Sequence, residues 1–338
     1  MSVMKATAIA CANIAFIKYW GKRDAELNLP ANSSLSMNLD ALTTVTTVEF
    51  SPDYDDDLII LDGREVHGET RRRIVAHLDR VRAMAGLRDR ARVISENSFP
   101  AGVGLASSAS GFAALSLAAS KAAGMELSER ELSILARFGS GSACRSVPGG
   151  FTEWEAGTCS EDSFARQIAP PEHWGLRDVI AIVSRTHKRV GSTEGHARAP
   201  TSHLYQARVA SVAERLARAR AALLQKDLVT LGPLIEEDAI SMHAVMMTSH
   251  PPIYYWLPAT VQLINEVQRW RAEGLQVYFT LDAGPNVHLI CQAADQAEVE
   301  RRLKNIEGVL EVIVSGPGPG ARACTAGRGV WRVSPNIP

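Results

Sequence analysis

Apolar positions recur at helical spacing over residues 70–84, where Ile74, His77, Leu78 and Val81 share one face and arginines the other. The same period marks 203–224, with Val209, Val212 and Leu216 in register. Further helices are predicted over 229–247, 260–272 and 296–304. Between these stretches the pattern changes to short apolar and β-branched clusters. Residues 42–50 (LTTVTTVEF), 58–62, 92–95, 178–184 (DVIAIVS), 276–281, 287–291 and 310–315 read as strands. Small residues on most sides of 107–123 predict a helix buried nearly all round. Ser128 followed by Glu131 predicts a capping box opening a helix that runs to about Phe138. Strands and helices mix in both halves without an internal repeat. That order predicts an α+β protein of two lobes, 1–180 and 181–338, with the boundary placed loosely.

Composition narrows the class. The 338 residues are 46% hydrophobic and 22% charged, an ordinary globular mixture. Lys+Arg 36 against Asp+Glu 37 leaves a net charge of -1, so the cation surplus that captures nucleic acid is absent in bulk. No nucleic-acid partner is expected. The five cysteines, Cys11, Cys144, Cys159, Cys291 and Cys324, are widely spaced and form no C-x-x-C pair. This argues against a disulfide framework or structural zinc, and fits a reducing cytoplasm. Residues 1–10 lack the apolar core of a secretory leader. The uncharged stretch 97–120 is too rich in Gly and Ser to face lipid, so no membrane partner is expected. The arginines at 71–73 and at 215, 218 and 220 read as solvated helix faces, while those at 71–73 could also reach an anionic ligand, which spacing alone does not show.

Candidate chemistry sits in a few segments. Pro100 to Ala109 is a Gly-rich turn feeding a helix, where Gly102 and Gly104 let backbone N–H groups approach an anion and Ser107 and Ser108 add hydroxyls. It lacks the Lys-Ser/Thr end of a Walker loop and the third Gly of a dinucleotide fingerprint, and by itself such a turn is more often a plain tight turn than an anion cradle. Ser140, Ser142 and Arg145 place two hydroxyls and a guanidinium together, a pattern suited to carboxylate or phosphate and equally to a capped helix end. Asn13, Lys18, Tyr19 and Lys22 follow a strand in quick succession. Asp282 stands on the stiff turn Asp-Ala-Gly-Pro-Asn. His243 and His288 read as core histidines, and no H-E-x-x-H spacing supports metal hydrolysis.

The segments 13–24 (NIAFIKYWGKRD), 32–36 (NSSLS), 104–108 (GLASS), 139–146 (GSGSACRS), 149–151 (GGF) and 282–286 (DAGPN) closely resemble the mevalonate (di)phosphate decarboxylases. That family belongs to the small-molecule kinase superfamily that includes galactokinase, homoserine kinase and mevalonate kinase. The resemblance runs in order along nearly the whole chain. It implies a two-lobed fold: an N-terminal ribosomal-protein-like α+β lobe with a left-handed βαβ crossover, a ferredoxin-like C-terminal lobe, and a site in the cleft between them. It also implies a homodimer.

The implied reaction uses ATP and Mg²⁺ to phosphorylate the C3 hydroxyl of a 5-phosphorylated mevalonate, which then loses phosphate and carbon dioxide. Carried over from the family motifs, Asp282 is the base or the electrostatic partner of Lys18, and Arg145 with Asn13 holds the substrate carboxylate. Tyr19, Lys22, Ser140, Ser142, His187, Lys188 and Ser192 surround the 5-phosphate. Gly102, Gly104, Leu105, Ala106, Ser107 and Ser108 cradle ATP; the Mg²⁺ ligand is unassigned. A kinase that stops at C3 phosphorylation and a non-catalytic ligand-binding relative stand as alternatives.

One departure matters. In 186–196 (THKRVGSTEGH) the family pattern has two adjacent lysines and ends Gly-Met, whereas here His187 replaces the first lysine and His196 the methionine. An ordinary histidine is mostly neutral at pH 7. One cation fewer points to mevalonate 5-phosphate over the 5-diphosphate, yet Arg189 can restore the charge, so both substrates stay open.

Overall fold

Strand β1 (Met4–Ile17) and strand β4 (Ser34–Ser51) form the antiparallel centre of the larger sheet in the computed structural model, which describes residues 4–99, 107–186 and 188–324. From Leu42 onward β4 alternates buried and half-buried positions, as its Thr/Val pattern predicts; one face packs on helix α2 (Ser107–Ala122). Its first residues, and the second half of β1, are buried on both faces. Register shifts at Cys11/Ala12 and Ala15/Ile17 bend β1 where it leaves the sheet.

Two short strands, β2 (Lys22–Asp24) and β3 (Leu29–Pro30), pair with each other. Strands β5 (Leu58–Leu61) and β6 (Arg64–Glu65), helix α1 (Gly68–Ala85) and strand β7 (Arg90–Asn97) come next. Because β5 and β7 are parallel and α1 lies between them in the chain, they make a βαβ unit. Helix α3 (Glu129–Gly139) opens with the Ser128/Glu131 capping box expected from sequence. A 3₁₀ turn (Gly141–Ser146) follows, then β8 (Phe151–Trp154), paired to β4, and β9 (Ala165–Ala169).

The smaller sheet runs β11 (Val277–Thr280), β12 (Val287–Gln292), β10 (Leu176–Ile182), β13 (Glu311–Ser315), all antiparallel. Helices α4 (Ser192–Arg198), α5 (Tyr205–Gln225), α6 (Leu228–Met247) and α7 (Pro258–Ala272) separate β10 from β11, and α8 (Gln296–Leu303) separates β12 from β13. This is the βαββαβ order of a ferredoxin-like sheet, elaborated after its first strand. Ile180 and Ile182 pack on α5 and α6, while Val179 and Ala181 face α7 and α8. Ile14, Phe16, Leu35 and Met37 of the larger sheet join the α5–α6 side, so one core serves both sheets. The last described strand, β14 (Arg322–Cys324), returns to pair with β1. No described helix is long and apolar enough to cross a membrane.

Two surface expectations are corrected. Arg215 is buried: it spans α5 to α6, pairing with Asp238 at 2.9 Å and Glu237 at 2.6 Å. The sequence pattern placed it among solvated arginines because its partners lie on another helix. Arg73 also leaves the solvated face. Arg71 and Arg72 pair with Asp56 and Glu69 outside, whereas Arg73 turns inward and donates to the Gly139 carbonyl at 3.0 Å.

Candidate active site

The chain leaving β1 delivers Lys18 into the interior. Its backbone N–H donates to Asp238 Oδ2 at 2.6 Å, and its side chain, fully buried, reaches Asp282 Oδ1 at 2.7 Å. Asp238 also accepts from Arg208 and Arg215, so a buried carboxylate and two guanidiniums clamp the peptide that carries Lys18. Asp282 begins the turn between β11 and β12. Its carbonyl accepts from Gly284 N at 2.7 Å and from His243 Nε2 at 3.1 Å, which assigns the His243 proton to Nε2. The sequence reading of His243 and His288 as core residues holds: both are buried, and His288 meets Asp178 at 2.7 Å.

The electrostatics of the pair follow from its surroundings. Burial pushes the Asp282 carboxyl up, but Lys18, with help from His288 and Arg145, more than offsets this, so the acid is held below its ordinary value. Burial lowers Lys18, opposed by Asp282. The result is a carboxylate kept ionised beside an ammonium of weakened proton affinity.

Arg145, from the 3₁₀ turn, lines the same cleft as this pair. Its Nη1 donates to Ser34 Oγ at 2.8 Å, and Nε and Nη2 donate to Asn13 Oδ1 at 3.3 and 3.2 Å. Asn13 in turn donates to Ser146 Oγ at 2.8 Å and to the Ser142 carbonyl at 3.2 Å, fixing its amide orientation. Arg145 is only 3% exposed, yet among the described residues no carboxylate pairs with it within 4 Å. A buried, unneutralised guanidinium is costly unless an anion completes it.

Around this centre opens a cleft of about 590 Å³, lined by Lys18, Lys22, Arg73, Arg145, Lys188 and Asp282 among others. Lys22 donates to Asn28 Oδ1 at 2.5 Å, Lys188 to the Ala283 carbonyl at 2.9 Å, and Arg73 to a carbonyl as above. Like Arg145, these three cations have no carboxylate partner among the described residues, whereas outside the cleft Arg82, Arg198, Arg269, Arg301 and Arg302 each have one. Lys22 and Lys188 are lowered chiefly by burial. The cleft is therefore a local concentration of positive charge in a chain of net charge -1.

Most of the expected site residues come together here. Asn13, Lys18, Tyr19, Lys22, Ser107, Ser108, Ser140, Ser142, Arg145, Lys188, Ser192 and Asp282 all line the one cleft. Ser108 Oγ lies 3.3 Å from Ser140 Oγ, which lies 3.5 Å from Ser142 Oγ. Gly102, Gly104, Leu105, Ala106 and His187 lie outside the described residues. Tyr19 carries a buried hydroxyl with no hydrogen bond among the described residues. Gly141 brings the 3₁₀ turn against its ring, where a Cβ would stand 2.7 Å from Tyr19 Cε1. Among the described residues no three His, Cys, Asp or Glu side chains gather to hold a metal ion.

The sequence reading left Arg73 open as a contact to an anion and missed His196 as a wall residue. Arg73 shares a stripe with Ala76, His77 and Arg80, spaced three, four and seven along α1, which is the signal its sequence carried. For His196 the only signal was its departure from the family's Gly-Met.

Comparison with known proteins agrees with this geometry. Residues 10–165 match the diphosphomevalonate decarboxylase-like N-terminal domain, and 178–313 the mevalonate 5-diphosphate decarboxylase C-terminal domain. The chain is 41% identical over 330 residues to the diphosphomevalonate decarboxylase of Aspergillus fumigatus, covering 91% of this chain and 81% of that one. It is 39% identical over 320 residues to the phosphomevalonate decarboxylase of Haloferax volcanii, covering 92% and 98%. The solved structure of MDDEF in complex with MVAPP, AMPPCP and magnesium superposes with a TM-score of 0.90 at 38% identity, over 96% of this chain and 99% of that one. With both domain models matched in order and the cleft built from the same segments, the chain belongs to the diphosphomevalonate decarboxylase family.

Proposed function

We propose that this enzyme is an ATP-dependent decarboxylase of a 5-phosphorylated mevalonate, making an isoprenoid precursor alkene. The observation that carries the reading is the pairing of Lys18–Asp282 with a buried, unneutralised Arg145 across one cationic cleft. A C3 hydroxyl beside Asp282 gives its proton to the carboxylate as the oxygen attacks the γ-phosphorus and the bridging P–O bond breaks to release ADP, and Lys18 offsets the charge that develops. Arg145, oriented by Asn13, holds the C1 carboxylate. When the C3–O bond to phosphate breaks, the C1–C2 electron pair becomes the C2–C3 double bond, and carbon dioxide leaves. The leaving phosphate takes the electrons of the C3–O bond, so no electron-sink cofactor is required.

Ser107 and Ser108, at the start of α2, fit a nucleotide phosphate tail together with the cleft's cations. Magnesium supplies charge neutralisation on the phosphates. Tyr19, Lys22, Ser140, Ser142, Lys188 and Ser192 are assigned to the 5-phosphate. Relatives at similar identity act on either phosphate form. We assign the monophosphate, because His196 puts a neutral group into this wall and the sequence carries His187 where the family pattern has a lysine.

The same reading places the lobe boundary near residue 180, with the cleft between the lobes. It takes the enzyme as a cytoplasmic homodimer, which light scattering and cell fractionation test. The direct experiment is turnover with ATP, Mg²⁺ and each phosphorylated mevalonate, following ADP and carbon dioxide. ADP without carbon dioxide sinks the decarboxylase; about tenfold better kcat/KM on the diphosphate, some 1.4 kcal/mol, sinks only the choice of phosphate form.

A further inference from the structure

Helix α4 puts Ser192 and His196 one turn apart on the same face, and both line the cleft. The imidazole is held on several sides. Its Nδ1 accepts the Gly21 backbone N–H at 3.0 Å, and its faces lie against Tyr19 and Trp20, with ring centroids 4.1 and 4.6 Å away. Gly195 closes the packing behind it, since a Cβ there would stand 2.5 Å from Trp20 Cη2.

An Nδ1 that accepts carries a lone pair, so the neutral ring bears its proton on Nε2. A doubly protonated ring would set Nδ1–H against the Gly21 N–H. Burial, then Lys22, Lys188 and Arg145, also oppose the second proton and push the group down to about 3. His196 is thus a neutral donor with a fixed direction. It is 8% exposed, and Nε2 has no partner among the described residues. A nearly buried N–H open only to a cleft among three cations is matched by an anionic oxygen.

We propose that His196 is a specificity-determining residue whose Nε2–H donates to an oxygen of the substrate's 5-phosphate. This rests on the reading of the cleft as the site of a 5-phosphorylated mevalonate. The donor adds direction without adding charge, which suits a monoester better than the more highly charged diphosphate. The γ-phosphate of ATP presents the same oxygen chemistry, so the test separates the two sources.

Mevalonate 5-phosphate, mevalonate 5-diphosphate and AMPPCP are titrated separately into the wild-type protein, His196→Met and His196→Gln, with steady-state kinetics alongside. The expected result is about tenfold weaker binding of mevalonate 5-phosphate by H196M, and a KM raised by the same factor. The AMPPCP affinity and kcat stay near wild type, and H196Q, which keeps an N–H at similar reach, recovers most of the loss. In ¹⁵N-histidine spectra of the wild type, Nδ1 of His196 is unprotonated and the Nε2–H signal shifts with mevalonate 5-phosphate. Unchanged substrate affinity in H196M, a loss confined to AMPPCP, or a protonated Nδ1 overturns the assignment. A wild-type protein that binds neither phosphorylated mevalonate refutes instead the reading of the cleft, and the assignment with it.

Discussion

Replacing Asp238 by Asn leaves the shape of the buried clamp and removes its charge. Four hydrogen bonds end on this carboxylate: Lys18 N at 2.6 Å, Arg208 at 3.0 and 3.2 Å, and Arg215 at 2.9 Å. Arg215 keeps Glu237 as a second acid, whereas Arg208 keeps only the Lys18 carbonyl. The loss is therefore chiefly one unpaired buried guanidinium, and a carboxamide N–H now faces donors. Breaking such a pair from one side costs about 3–5 kcal/mol, and the retained amide oxygen places D238N near the lower end, about 3 kcal/mol. Urea unfolding followed by fluorescence measures it as a lower midpoint at unchanged slope. Because the same carboxylate fixes the Lys18 peptide, kcat falls about 10–100-fold while the fold persists. The double variant D238N/R208M recovers stability, since it removes the stranded charge as well as its partner. A loss below about 1 kcal/mol, or no recovery in the double variant, refutes the view that Asp238 is held there by the charges it neutralises.

Asp282→Asn removes the proton acceptor without removing the side chain, so kcat drops by about 10²–10⁴-fold while AMPPCP affinity stays near wild type; single-turnover ADP formation reads the step lost. Gly195→Ala drives a Cβ into Trp20, displacing the indole stacked on His196, and costs about 1–3 kcal/mol of stability with a raised KM for phosphorylated mevalonate. Acid is a third probe. Burial holds His77, His196 and His243 neutral, with folded values near 3 against about 6.5 unfolded, so the unfolded chain binds more protons between those limits. Stability is full above about pH 6.5 and declines below it, by about 4 kcal/mol in total at pH 5.5. Urea midpoints between pH 7 and 5.5 measure the decline, and a flat profile contradicts neutral burial of these rings.

The long periodic elements were legible because their signal is local. Helices α1 and α5 carry continuous apolar stripes, and α3 announces itself by its capping box. Strands β2, β3, β6 and β14 run only two or three residues and exist because distant partners bind them. No window of sequence contains that partner. The site divides in the same way. Lys18 and Asp282 are 264 residues apart, so no spacing rule joins them, and their pairing entered through resemblance to a family. Arg215 reads as surface, and Arg73 as surface first, because arginine on a helix usually is. What buried Arg215 was an acid on the next helix, and what turned Arg73 inward was the carbonyl at the end of α3.

Strand β14 pairs Thr7 with Cys324 and Ile9 with Arg322, joining residues from nearly opposite ends of the described chain. During ribosomal synthesis β1 is made before β14, so its outer edge stays bare until residues 322–324 follow. A bare edge is a template for pairing with other chains. Vectorial synthesis thus yields a larger sheet that is incomplete while the ferredoxin-like sheet is still being made, and closing it joins Ile9 to Arg322 across everything between them. A nascent chain stalled before residue 322 therefore keeps that edge of β1 open, and the arrival of β14 closes it.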